Sequence, residues 1–152
     1  MKILLIDDDE VILKCMQHAL VDDGHVVLTA LNGTTALRKF KESPNEFDIV
    51  VTDLELPYMD GVEITKAIRE ISDVPICVWT GFGDDPEISM LVKNAGADYL
   101  VDKLGLKLFV RRFDARNKEK GNGSEKNETL YQKRRADDDV RSSDSGKQKK
   151  TS

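Results

Sequence analysis

The sequence holds only two cysteines and two histidines. Cys15 and Cys77 form no C-x-x-C pair, and neither His18 nor His25 has a ligand-like companion. The spacing that a zinc centre needs is therefore missing. Cys15 falls in a helical pattern and Cys77 in a strand run, so both are expected to be buried thiols of a reducing compartment. Long hydrophobic runs are also missing. None approaches the ~18 apolar residues of a membrane span, and MKILLIDDD lacks the longer apolar core of a signal peptide. A soluble, cytoplasmic protein with no membrane association is the expectation. Basic charge is in deficit: 23 Lys and Arg face 28 Asp and Glu, for a net charge of −5. That balance gives no support to a nucleic-acid binder acting through the whole chain. No internal repeat is present.

What is there is unevenly spread. A chain of 152 residues suits one domain with an appendage and is long enough to bury a core. From about Arg116 onward the aliphatic residues nearly vanish, in NKEKGNGSEKNETLYQKRRADDDVRSSDSGKQKK. Such a segment cannot bury enough apolar surface to offset its ordering entropy. The expected organisation is a folded domain over 1–115 and a disordered polar tail over 116–152. The tail's KRR and KQKK clusters are diluted by DDD and read as solvated.

Before the tail, short apolar runs alternate with helical patterns. KILLI (2–6) reads as a strand, and Val11, Ile12, Cys15, Met16, Ala19 and Leu20 recur at helical spacing up to Gly24. HVVLT (25–29) is a second strand. Asn32 can cap a helix that carries Ala36, Leu37 and Phe40 and stops before Ser43-Pro44. DIVVT (48–52) is the third strand, and Val62, Ile64, Ala67, Ile68 and Ile71 mark the helix after it. PICVW (75–79) is the fourth strand, with Pro75 at its first position. Asp84 or Asp85 can cap a helix with Pro86 near its start and Ile88, Leu91, Val92 and Ala95 inward. DYLV (98–101) is the fifth strand, and Leu104 to about Phe113 form the last helix. Continuous apolar strands imply a sheet covered on both faces, hence parallel strands with right-handed crossovers. The predicted fold class is α/β: a (βα)5 doubly wound, five-stranded parallel sheet in the flavodoxin-like order 2-1-3-4-5.

In such a sheet, ligands bind outside the carboxyl ends of the strands. Here Asp7, Asp8 and Asp9 follow the first strand, Asp53 the third, Thr80 the fourth and Lys103 the fifth. Carboxylates gathered on one edge repel one another, and a divalent cation with oxygen ligands removes the conflict. Mg2+ suits one or two carboxylates plus water and phosphate oxygens. Lys103 supplies a compact positive charge and Thr80 a hydroxyl, which together suit a phosphoryl group in transfer to a carboxylate. Asp9 is better explained as a helix-opening residue. Pro57, Asp60 and Gly61 are turn chemistry. Trp79 and Phe82 are candidates for a partner surface, with core the preferred assignment for Trp79.

Residues 1 to about 113 resemble the receiver domain of two-component response regulators, through ILLIDDD, VVTDLELPYMDG, CVWTG and NAGADYLVDK in that order. The resemblance implies that Asp53 accepts phosphate from a phosphohistidine on a sensor histidine kinase or histidine phosphotransferase. It implies Mg2+ held by Asp8, Asp53 and the backbone carbonyl of Glu55, with Asp7 assisting through water. It implies that Thr80 and Lys103 contact the phosphoryl group, and that Glu55 and Phe82 tune its lifetime. Two positions depart from the family pattern: Leu104 stands where proline usually follows the lysine, and Leu100 where the switch aromatic usually stands. Tyr99 comes one residue earlier, on the opposite strand face by alternation.

With no DNA-binding, output or kinase motif after it, the domain is expected to be a stand-alone receiver. It would bind an unknown downstream protein or relay phosphate, itself a phosphoacceptor rather than an enzyme on other substrates. The competing class is a haloacid dehalogenase-type phosphatase, in which ILLIDDDEV supplies Asp7 as nucleophile and Asp9 as acid/base. Its acidic pair should follow its lysine, whereas Asp84-Asp85 precede Lys103, and Asp53 would go unused. A third reading is a binding module that never takes phosphate.

Overall fold

A computed structural model describes residues 1–121 of the chain. The elements run β1 (Lys2–Ile6), α1 (Glu10–Asp22), β2 (Val26–Ala30), α2 (Gly33–Glu42), β3 (Ile49–Asp53), α3 (Gly61–Arg69), β4 (Ile76–Thr80), α4 (Pro86–Ala95), β5 (Tyr99–Asp102) and α5 (Leu106–Lys120), with a 3-10 turn over Lys103–Gly105. All neighbouring strands pair parallel, in the order β2-β1-β3-β4-β5. The five-stranded order expected from the apolar pattern is the one observed.

Strand alternation divides the core into two layers. Leu4, Ile6, Val50, Ile76 and Val78 face α2, α3 and α4, where they meet Phe40, Ile64, Ile68 and Val92. Ile3, Leu5, Val51, Cys77 and Trp79 face α1 and α5, where they meet Leu13, Leu20, Leu106, Phe109 and Phe113. Burial of each large side chain stabilises the fold by about 1.5–3 kcal/mol relative to exposure. The helices are started by side chains at the carboxyl edge of the sheet. Asp9 Oδ1 accepts from the Val11 and Ile12 amides at 3.0 and 3.2 Å, Asn32 Oδ1 from Thr35 at 2.9 Å, and Asp60 Oδ1 from Glu63 at 2.9 Å. Asp85, not Asp84, caps α4 by accepting from Glu87 at 2.8 Å. Each cap satisfies amides that have no partner within the helix.

Several local expectations are corrected. Cys15 is exposed, as are Val11 and Ile12, because α1 turns Leu13, Met16 and Leu20 toward α5 and the sheet. At 100° per residue, Cys15 sits about 200° from Leu13, on the outer side. Leu91 is exposed too, since the inner line of α4 runs through Val92 and Ala95. Ile71 lies beyond the end of α3 and is exposed, and Val74 fills that part of the core. The last helix continues to Lys120, past the expected boundary at 115. The tail over 122–152 lies outside the described residues. Tyr99 packs on Phe109 and Phe113, with ring centroids 5.0 and 5.7 Å away, so it belongs to the α1/α5 layer.

Candidate functional site

Three strands end one residue later than their apolar runs, which draws polar residues into the ladder. Asp53 pairs with Trp79 across β3 and β4, and Thr80 pairs with Asp102 across β4 and β5. Asp53 is therefore the last residue of its strand, held by backbone pairing rather than free in a loop. The segment after it doubles back tightly. The Gly61 amide donates to the Leu54 carbonyl at 2.8 Å, and Thr65 Oγ1 donates to the Gly61 carbonyl at 2.7 Å. A Cβ on Gly61 would stand 2.3 Å from the Asp53 carbonyl oxygen, so only glycine permits this approach. Within the loop, Tyr58 adopts a left-handed backbone with φ of 69° and is fully exposed. Non-glycine residues adopt that conformation at a cost and cluster near functional sites.

Asp7 follows β1, and its amide donates to the Ala30 carbonyl at 3.2 Å. Its side chain is 1% exposed. Oδ1 of Asp7 accepts from the Asp9 amide at 2.9 Å, and Oδ2 receives the ammonium of Lys103. The same ammonium lies 3.1 Å from Asp53 Oδ2 and 4.4 Å from the centroid of the Trp79 ring. Lys103 opens the 3-10 turn that Asp102 starts by accepting from the Leu104 amide at 3.0 Å. Thr80 is buried at the end of β4, where its Oγ1 accepts from the Phe82 amide at 3.3 Å. Phe82 itself is exposed. Glu55 is exposed, two residues beyond Asp53.

Asp7, Asp8 and Asp53 each offer a carboxylate oxygen, and these three atoms lie within 4.8 Å of one another. Octahedral Mg2+ binds oxygen at about 2.1 Å, so opposite ligands stand about 4.2 Å apart. The oxygen-only donor set suits that ion, and the spread of at most 4.8 Å is of the same scale. Three carboxylates and one ammonium sum to a charge of −2 when all are ionised, which a divalent cation balances. Burial pushes the Asp53 carboxyl above the usual aspartate value, and the charge of Asp7 adds to this, while Lys103 opposes it.

Of the residues singled out from the sequence, the fold gathers Asp7, Asp8, Asp53 and Lys103 into one cluster. Thr80 stands at the same edge, one residue past the strand partner of Asp53. Asp9 and Asp60 serve as helix caps. Trp79 is buried as expected, yet it also underlies the lysine, a relation carried by no motif. Its signal in the sequence is strand alternation, which puts residues 51, 53, 77 and 79 on one sheet face.

The family model described as response regulator receiver domain matches residues 3–108. Response regulator RR06 of Streptococcus pneumoniae is 31% identical over 115 residues, covering 76% of this chain and 52% of that protein. The transcriptional regulatory protein PrrA of Mycobacterium bovis is 36% identical over 123 residues, covering 79% of this chain and 51% of that protein. The chain thus spans about half the length of these relatives. Among solved structures, a response regulator receiver domain protein from Clostridium thermocellum superposes with a TM-score of 0.68 at 33% identity, covering 77% of this chain and 96% of that one. The chemotaxis protein CheY4 of Vibrio cholerae gives 0.67 at 31% identity, over 73% of this chain and 96% of that one. In strand order, acidic cluster and sequence, the chain belongs to the receiver domains of two-component response regulators.

Proposed function

We propose that Asp53 is the phosphoacceptor of a Mg2+-dependent signalling switch. The observation that carries this reading is the placement of the Lys103 ammonium 3.1 Å from Asp53 Oδ2, beside the oxygens of Asp7 and Asp8. A carboxylate oxygen of Asp53 attacks the phosphorus of a phosphohistidine. The P–N bond breaks, its electron pair stays on the imidazole nitrogen, and an acyl phosphate forms on Asp53. Mg2+ would be held by Asp8, Asp53 and the carbonyl of Glu55, with Asp7 assisting through water, and would supply neutralising charge for the phosphoryl oxygens. Lys103 meets a phosphoryl oxygen as negative charge builds, and Thr80 donates its hydroxyl to another. Hydrolysis of the acyl phosphate resets the switch, so the protein acts as a catalyst only on itself.

The phosphodonor is a sensor histidine kinase or histidine phosphotransferase in the cytoplasm. The output is altered binding of a downstream protein or onward relay of the phosphate. Among the described residues no helix is long and apolar enough to cross a membrane. The phosphatase alternative is disfavoured by Asp7 itself. Both its oxygens are engaged, by the Asp9 amide and by Lys103, and it is almost fully buried. Incubation with Mg2+ and acetyl phosphate, followed by peptide mass mapping, tests the assignment. Label is expected on Asp53 and absent in Asp53→Asn. Label that persists in Asp53→Asn and disappears in Asp7→Asn would transfer the nucleophile's role to Asp7.

A further inference from the structure

The 3-10 turn fixes the backbone of Lys103, and the end of its long side chain must be held by other contacts. Leu104, the next residue, is 97% exposed, so its side chain adds no packing beside the lysine. The lysine side chain is 25% exposed and its ammonium is shared between Asp7 and Asp53. A phosphoryl group or cation that engages those carboxylates competes with both contacts for the same oxygens. The third contact is different in kind. Trp79 is fully buried, its ring lies under the ammonium at 4.4 Å, and no ionic ligand competes for that ring face.

We infer that Trp79 is a positioning residue: its indole face seats the Lys103 ammonium over the site. Strand alternation carries the geometry. Asp53 and Trp79 are paired neighbours across β3 and β4, so both project to the α1/α5 side, where Lys103 reaches in from the end of β5. The π-face of indole is negative and binds an ammonium best among the aromatic rings. Among the described residues, the Trp79 Nε1 is buried without a hydrogen-bond partner, a defect that leucine would not carry.

The inference rests on the phosphoacceptor reading for the competition at Asp7 and Asp53 and for its kinetic readout, while the contact with the ring stands apart from it. The direct test is NMR of protein labelled with 13C at the lysine ε-carbon. Ring current moves the Lys103 methylene protons upfield of the other lysines, and the signal is identified by its loss in Lys103→Arg. In Trp79→Leu the signal is expected to fall back among the others, with Mg2+-dependent labelling by acetyl phosphate slowed about tenfold. Mg2+ affinity is not weakened, a split that loss of folding would not produce. Trp79→Phe keeps a ring and restores part of both the shift and the rate. An unshifted Lys103 signal in the wild type, or a wild-type labelling rate in Trp79→Leu, would overturn the seat. A shifted signal in a protein that takes no label at all would support the seat and sink the phosphoacceptor assignment instead.

Discussion

Lys103 Nζ lies 3.1 Å from Asp53 Oδ2, joining the ends of β5 and β3 across the intervening β4. The pair is partly buried, with the lysine also bonded to Asp7, so its charges are poorly screened by solvent. The contact restrains Asp53 and competes with any cation for the same oxygens.

Replacing the lysine therefore separates binding from chemistry. Lys103→Met is expected to slow labelling of Asp53 by acetyl phosphate on the order of 10²-fold, as loss of a charge-stabilising donor does. Mg2+ affinity is expected to rise, because the competing ammonium is gone. Titration calorimetry and timed mass spectrometry measure the two effects separately.

Asp53 itself is expected to weaken the fold. Its carboxyl titrates above the usual aspartate value of 3.8 because of burial. Within that window the native state binds a proton that the unfolded state has released. Stability is therefore lost as pH rises through the window, and the loss persists at neutral pH. Asp53→Asn is expected to raise the melting temperature without Mg2+ by a few degrees. Added Mg2+ is expected to stabilise the wild type and leave the variant nearly unchanged, as melting curves with and without the ion will show.

Gly61→Ala places a methyl 2.3 Å from the Asp53 carbonyl oxygen, a contact that only a backbone shift can relieve. The expected cost is about 2 kcal/mol in urea unfolding. Labelling of Asp53 is expected to slow as well, since the shift moves the strand end that presents the carboxylate.

At the opposite edge of the sheet, Arg69 ties three segments together. Its guanidinium donates to the carbonyls of Gly96, Ser72 and Val74 at 2.8, 3.2 and 2.6 Å, and to Asp98 Oδ2 at 2.6 Å. Asp98 Oδ2 also accepts from the Ile76 amide at 2.9 Å. Lysine cannot reproduce the planar fork. Arg69→Lys is expected to destabilise the domain by about 2 kcal/mol, with Mg2+ affinity unchanged.

His25 provides a pH test remote from the acidic cluster. Burial holds its imidazole below the ordinary value of 6.5. As pH falls, the unfolded chain takes up the proton first. Stability present above pH 6.5 is thus lost progressively below it, down to the depressed native value. His25→Gln is expected to flatten this part of the pH profile in chemical unfolding at fixed temperature.

The β-strand and helix succession could be read along the chain because it depends on local alternation and capping. Five apolar runs, helix starts at Asp9, Asn32 and Asp85, and stops at Gly24 and Gly96 are properties of neighbouring residues. The parallel order followed from strands apolar on both faces. The polar ends of those strands were legible as well, and with them the cluster at one sheet edge. Helix phase was less legible. Val11, Ile12 and Cys15 share the helical spacing of Leu20, but α1 turns Leu13 inward with Leu20 and leaves those three exposed. Apolar residues surround much of that helix, so periodicity alone does not choose its angle.

Distances among side chains from different strands were decided only on folding. Residue types and spacing said that Asp7, Asp53 and Lys103 share an edge, but not that one ammonium would bond both carboxylates. Nor did they say that Trp79 would lie beneath that ammonium. Secondary structure follows from contacts a few residues apart, whereas a lysine's position depends on strand register and on every group that packs around its long stem.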